Sequence, residues 1–149
     1  MPNNKIYIIL HNIRSRFNVG SVFRTADGAG IVKIYLCGIT PAPPHPKIAK
    51  VSLGAENFVP YKSVKNTWQL IEKLKKQGIK VIAVEQTKKS IQYKHYKPQF
   101  PIAIVLGSET KGLSKAILKR CDDIIEIPML GKKESLNVAT ACGIICYYL

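Results

Sequence analysis

Three short polar stretches stand out in a chain otherwise patterned for burial. The first covers residues 12–24 and holds Arg14, Arg16, Asn18, Gly20 and Arg24. The second covers residues 107–114, with Glu109 and Lys111 between Gly107 and Gly112. The third covers residues 130–137, with Gly131, Lys132, Lys133, Ser135 and Asn137. A guanidinium stays charged at any working pH, and its planar fork suits a phosphate or a developing oxyanion. Glycines such as Gly107 and Gly131 fit a close approach of backbone to ligand, or serve as ordinary turn residues. Ser135 and Asn137 stand where free N–H groups and side-chain oxygens gather at a helix start. His11, His45 and His95 show no partner pattern, so none is a candidate catalytic residue. Cys37, Cys121, Cys142 and Cys146 form no C-x-x-C pair and sit in apolar surroundings, which suits buried reduced thiols rather than a metal site.

The elements that position these stretches follow from hydrophobic periodicity. Apolar, β-branched runs at residues 5–10, 33–39, 80–85, 101–106 and 123–129 read as strands, and residues 57–61 as a shorter one. Asn18 can cap a helix whose Val19, Val22, Phe23 and Ala26 share one face, with Gly28 and Gly30 at its end. Residues 67–77 form a second helix with Trp68, Ile71, Leu74 and Leu70 inward. Short helices are expected at 48–53 and, capped by Ser114, at 115–120. Four prolines make residues 41–46 irregular, and residues 86–100 read as a long polar loop. From Leu136 onward no residue is charged, so the last helix must be covered on several sides, with a second subunit as the expected extra cover.

Alternation of strand and helix, with continuously apolar strands, indicates an α/β protein: a mostly parallel sheet with helices on both faces. Ligands of such sheets sit beyond the carboxyl ends of the strands. The three polar stretches all leave from that edge.

With 149 residues the chain has room for one domain with a substantial core. No apolar run is long enough to cross a bilayer, and residues 1–5 are too short and polar to open a signal peptide, so a cytoplasmic protein without a membrane partner is expected. Lys and Arg number 23 against 9 acids, a formal charge of +14, which favours a nucleic-acid partner. Nineteen of those 23 are lysines spread along the chain, a pattern that solubility alone also produces.

Asn18-Val-Gly-Ser-Val-Phe-Arg24-Thr-Ala, Leu106-Gly-Ser-Glu109-Thr-Lys-Gly-Leu-Ser114, and Ile127-Pro-Met-Leu-Gly131 followed by Ser135-Leu-Asn137-Val-Ala resemble the three motifs of the SpoU/TrmH branch of the SPOUT RNA methyltransferases. The resemblance implies a SPOUT-type α/β knot, with a deep trefoil knot in the last third of the chain, and a homodimer. It implies one catalytic domain over residues 1–149 with no appended RNA-binding domain. It also implies S-adenosylmethionine-dependent methylation of a ribose 2′-hydroxyl in transfer or ribosomal RNA, leaving S-adenosylhomocysteine, with no metal. Arg24, Asn18, Glu109, Ser135 and Asn137 are then the catalytic set: Asn18 orients Arg24, Glu109 holds Arg24 or the ligand, and Ser135 and Asn137 bond the guanidinium or ribose. Arg24 acts either as base or as phosphate and alkoxide stabiliser. Val84, Leu106, Gly107, Ile127, Met129, Ser135 and Leu136 hold the adenosyl group. Arg14, Arg16, Lys111, Lys132 and Lys133 contact RNA phosphates. The alternatives are a silent SPOUT-like RNA binder and a SPOUT enzyme that methylates a base nitrogen.

Overall fold

The computed structural model describes residues 4–149. Met1–Asn3, part of the segment read above as too polar for a signal peptide, lie outside them. Seven strands form one sheet: β1 (Ile6–His11), β2 (Lys33–Cys37), β3 (Tyr61–Val64), β4 (Lys80–Val84), β5 (Ile91–Gln92), β6 (Ile102–Gly107) and β7 (Asp123–Glu126). Their order is β3-β2-β1-β6-β4-β7-β5, and every pairing is parallel. Five helices cover it: α1 (Arg16–Ala29), α2 (Pro46–Ser52), α3 (Thr67–Lys76), α4 (Lys115–Arg120) and α5 (Val138–Tyr148).

Alternate residues of each strand enter different cores, as a pleated sheet requires. On one face Ile8, Leu10, Ile34, Ile82, Ile104 and Leu106 pack with α1, α2 and α5. On the other, Ile9, Val81, Ala83, Ala103 and Val105 pack with α3 and α4. Both sides being covered explains why β6 is buried over Ile102–Leu106 without polar alternation.

Local details correct four expectations. Ser15, not Asn18, caps α1: its hydroxyl accepts from the Asn18 N–H at 3.1 Å, so Asn18 lies within the first turn and its side chain is free to bond elsewhere. The third strand begins at Tyr61 rather than 57, because residues 55–57 form a turn of 3₁₀ helix; Pro60, lacking an N–H, leads into the strand and its carbonyl accepts from the Ile34 N–H. Trp68 does not join the core. It is 37% exposed and carries the Arg120 guanidinium 4.6 Å from its ring centre, while Leu70, Ile71 and Leu74 fill the buried face. Residues 86–100 are not wholly irregular: β5 pairs with β7, and Tyr96 is pinned by its hydroxyl donating to Asp123 at 2.8 Å.

The carboxyl end of β1 carries a pH-sensitive pair. Asn12 Nδ2 lies 3.3 Å from His11 Nε2, and His11 Nδ1 lies 2.7 Å from the hydroxyl of buried Thr67. With Asn12 donating to Nε2, the ring proton sits on Nδ1 and donates to Thr67. A second proton would oppose the Asn12 amide, and burial already lowers the His11 pKa below its ordinary 6.5. The unfolded chain therefore binds that proton at higher pH than the folded one. Stability is whole above pH 6.5 and falls as pH drops through that value toward the folded pKa. Melting curves from pH 7.5 to 5 are expected to shift downward in the native protein and by less in His11→Gln, whose neutral amide can still meet Thr67.

Candidate active site

A cavity of about 680 Å³ opens at the carboxyl edge, where β4, β6 and β7 end. Val84, Leu106, Gly107, Ile127, Met129, Ser135 and Leu136, the expected adenosyl contacts, all line it. Glu109 and Lys111 line it too. The walls are apolar where strands and α5 contribute Val84, Leu106 and Ala141, and polar where the loops contribute Glu85, Gln86, Ser108 and Glu134. That mixture suits a ligand with a flat apolar part and charged ends. Gly107 is needed there: a Cβ on it would lie 2.6 Å from the Gly112 carbonyl oxygen.

At the rim, side chains from all three polar stretches close a ring. Asn18 Nδ2 donates to Glu109 Oε1 at 3.3 Å, and Asn18 Oδ1 accepts from Asn137 Nδ2 at 3.1 Å. The same Glu109 oxygen accepts the Val138 N–H at 3.2 Å, so a carboxylate stands at the amino end of α5, where partial positive charge gathers. Asn137 caps that helix, its Oδ1 accepting from the N–H groups of Ala139 and Thr140. Asn137 is therefore both helix cap and member of the rim ring. Glu109→Gln keeps the shape and an oxygen for both donors, which share Oε1, but removes the negative charge from the amino end of α5. It is expected to cost about 1–2 kcal/mol, read as a lower urea midpoint with unchanged slope.

Arg24 is elsewhere. It is exposed on α1, does not line the cavity, and has no hydrogen bond or ion pair among the described residues. Within one chain neither Asn18 nor Glu109 bonds to it; their side chains are engaged in the rim ring, and Glu109 lines the cavity. Ser135 lines the cavity without a side-chain partner among the described residues. Arg14 and Arg16 are exposed where β1 passes into α1, and Lys132 and Lys133 on the loop before α5.

Sequence reasoning missed Glu85 and Gln86. Glu85 Oε2 accepts the Leu113 N–H at 2.9 Å and packs against Gly112, which sits at φ 61°. Gln86 Nε2 donates to the Glu134 carbonyl at 2.8 Å, tying the loop after β4 to the loop before α5. Their signal was position: both follow directly on a buried strand at the ligand-binding edge.

An all-parallel sheet with its cleft at the carboxyl edge is the architecture that comparison with known proteins finds in SpoU/TrmH methyltransferases. The SpoU rRNA Methylase family model matches residues 5–147. The chain is 33% identical over 146 residues to YacO of Bacillus subtilis (strain 168), assigned to the TrmH family of tRNA/rRNA methyltransferases, covering 95% of this chain and 56% of the relative. A TrmH-family structure from Porphyromonas gingivalis superposes with a TM-score of 0.88 at 32% identity, over 97% of this chain and 58% of that one. An AdoMet-bound rRNA methyltransferase from Sinorhizobium meliloti gives 0.90 at 28% identity, over 98% and 56%. The chain belongs to the SpoU rRNA methylase family. It spans about half the length of the curated relatives it matches. Among the described residues no helix is long and apolar enough to cross a membrane.

Proposed function

We propose that this protein transfers a methyl group from S-adenosylmethionine to a ribose 2′-hydroxyl of transfer or ribosomal RNA. The observation that carries the reading is the rim ring of Asn18, Glu109 and Asn137, which joins three sequence-distant motifs beside one cavity. The cavity fits the cofactor chemically: Val84, Leu106, Ile127, Met129 and Leu136 offer apolar cover, and Gly107 leaves backbone open to approach. When bound there, S-adenosylmethionine supplies an electrophilic methyl on a sulfonium. Family membership and the AdoMet-bound neighbour support the same choice.

The chain's own work is positioning and charge. Arg24, permanently cationic, grips the phosphate beside the target ribose and stabilises the alkoxide that forms as the 2′-hydroxyl proton leaves to water. Because Arg24 stands outside its own cavity, a second copy of the chain brings it to the site. α5 suits the dimer: it carries no charge, yet Thr140 and Tyr147 are exposed, Tyr147 by 67%. Lys111, Lys132 and Lys133 hold RNA phosphates around the cleft. The strand order is compatible with the knot expected in the last third of the chain.

Incubation with labelled S-adenosylmethionine and unmodified RNA, followed by nuclease digestion, tests the reading. Label on a ribose is expected. Label on a base nitrogen would replace the ribose assignment, and no label together with no S-adenosylhomocysteine binding by calorimetry would end the enzymatic reading.

A further inference from the structure

We infer that Arg16 at the start of α1 and His45 with Lys47 at the start of α2 form a preassembled shelf for the phosphodiester backbone of RNA, next to the catalytic cleft. The shelf rests on the RNA reading above and extends it to the loop between β2 and α2, which none of the three motifs contains.

Two loops leave neighbouring strands at the carboxyl edge, residues 12–15 after β1 and 38–45 after β2, and they are laced together. The Thr40 hydroxyl accepts the Ile13 N–H at 3.0 Å and lies within bonding distance of the Leu10 and Cys37 carbonyls. Thr40 is only 7% exposed, so these bonds are shielded from water. Asn12 Oδ1 accepts the Ile39 N–H at 3.1 Å. Below the loops α1 and α2 touch backbone to backbone: a Cβ on Gly20 would stand 2.6 Å from the Ile48 carbonyl oxygen. Arg16 and Lys47, near the starts of these helices, are thus carried on one rigid body.

Neither Arg16 nor Lys47 is in an ion pair among the described residues. In the first 55 residues Asp27 is the only acid, and it lies in the last turn of α1, far from Arg16. The two ion pairs among the described residues, Lys75–Asp122 and Arg120–Glu72, join α3 to the segment at the end of α4, on the other face of the sheet. His45 Nδ1 accepts the Lys47 N–H at 3.1 Å, which leaves the ring proton on Nε2 as a donor. Partial burial, then the positive charges of Arg16 and Lys47, lower its pKa, so at neutral pH it offers a single N–H rather than a third charge.

Placement selects the partner. β1 alone separates β2 from β6, whose end forms the cleft. Two strand spacings amount to about 10 Å, a gap that a short stretch of RNA backbone bridges. Nucleotides flanking a ribose held at the rim ring would lay their phosphates on this shelf. Such contacts carry little sequence information and strong salt dependence.

Fluorescence anisotropy with a labelled single-stranded RNA of mixed sequence, titrated against salt, tests the shelf. Lys47→Gln is expected to weaken binding about fivefold near ~0.1 M salt and to lower the salt slope by about 0.7. His45→Asn keeps a capping oxygen for α2 but loses the ring N–H, so affinity should fall with the slope unchanged. Lys76→Gln, at the far end of α3, should behave as wild type, and S-adenosylhomocysteine affinity should be equal in all four proteins. A wild-type slope in Lys47→Gln, or equal losses in Lys47→Gln and Lys76→Gln, would overturn the shelf while leaving the enzymatic reading intact. Wild-type protein that binds this RNA without salt dependence would also overturn the shelf, whereas the enzymatic reading falls only on the labelling and calorimetry above.

Discussion

Replacing Arg24 with alanine is expected to lower methyl transfer by about 10²–10³-fold, the loss typical of removing one group that stabilises charge in the transition state. Stability and cofactor binding should be nearly untouched. The side chain is exposed and unbonded within the chain, so its removal should shift stability by no more than about 0.5 kcal/mol. It does not line the cavity, so S-adenosylhomocysteine should bind as before. Single-turnover methylation, calorimetry and a melting curve give the three readouts. Equal losses of turnover and cofactor affinity would contradict the role. Arg24→Lys keeps the charge but not the planar fork, and should recover only part of the rate.

Gly107→Ala should have the opposite signature, with cofactor binding failing first. Its Cβ would meet the Gly112 carbonyl oxygen at 2.6 Å, the Gly112 carbonyl carbon at 2.8 Å and Leu113 Cδ2 at 2.9 Å. Two of these three are backbone atoms, so no rotamer change relieves the clash. The loop that carries Glu109 has to move away from β6, at a cost of about 1–3 kcal/mol. Displacing it disturbs the cavity wall and the bond between Glu109 and the start of α5. We expect S-adenosylhomocysteine affinity to drop more than about tenfold, in line with a lost interaction of roughly 1.4 kcal/mol or more. Mixed with Arg24→Ala chains, Gly107→Ala chains should restore part of the activity, because a dimer of the two can pair an intact cavity with an intact arginine. Absence of any recovery, with mixed dimers demonstrated, would place Arg24 in its own subunit's site.

Much of this was legible in the residues. Long buried strands such as β6 announce themselves through unbroken apolar runs, and the order of elements then dictates which loops share an edge. What composition could not reveal was bonding geometry. Asn18 reads as a helix cap, yet Ser15 three residues earlier takes that job and releases the amide to bridge Glu109 and Asn137. Trp68 falls on the apolar side of α3 by spacing, but its size and the nearby Arg120 favour a stacked, half-exposed position. β5 has two residues, too few for any period, and exists because β7 offers it a free edge. Glu85 looks like an ordinary carboxylate until the Leu113 amide is found on it.

The strand order has a consequence for how the protein is made. β6 is wedged between β1 and β4, and its register with β1 pairs residues about a hundred positions apart, such as Ile8 with Ile104. In a chain emerging from the ribosome β3, β2 and β1 can pair early, but β4 has no partner until β6 arrives, because its neighbours β6 and β7 both follow it. Asn137, the last member of the rim ring, comes later still. Nascent protein therefore has no working cleft, and its maturation should be slow, limited by distant pairing rather than by helix formation.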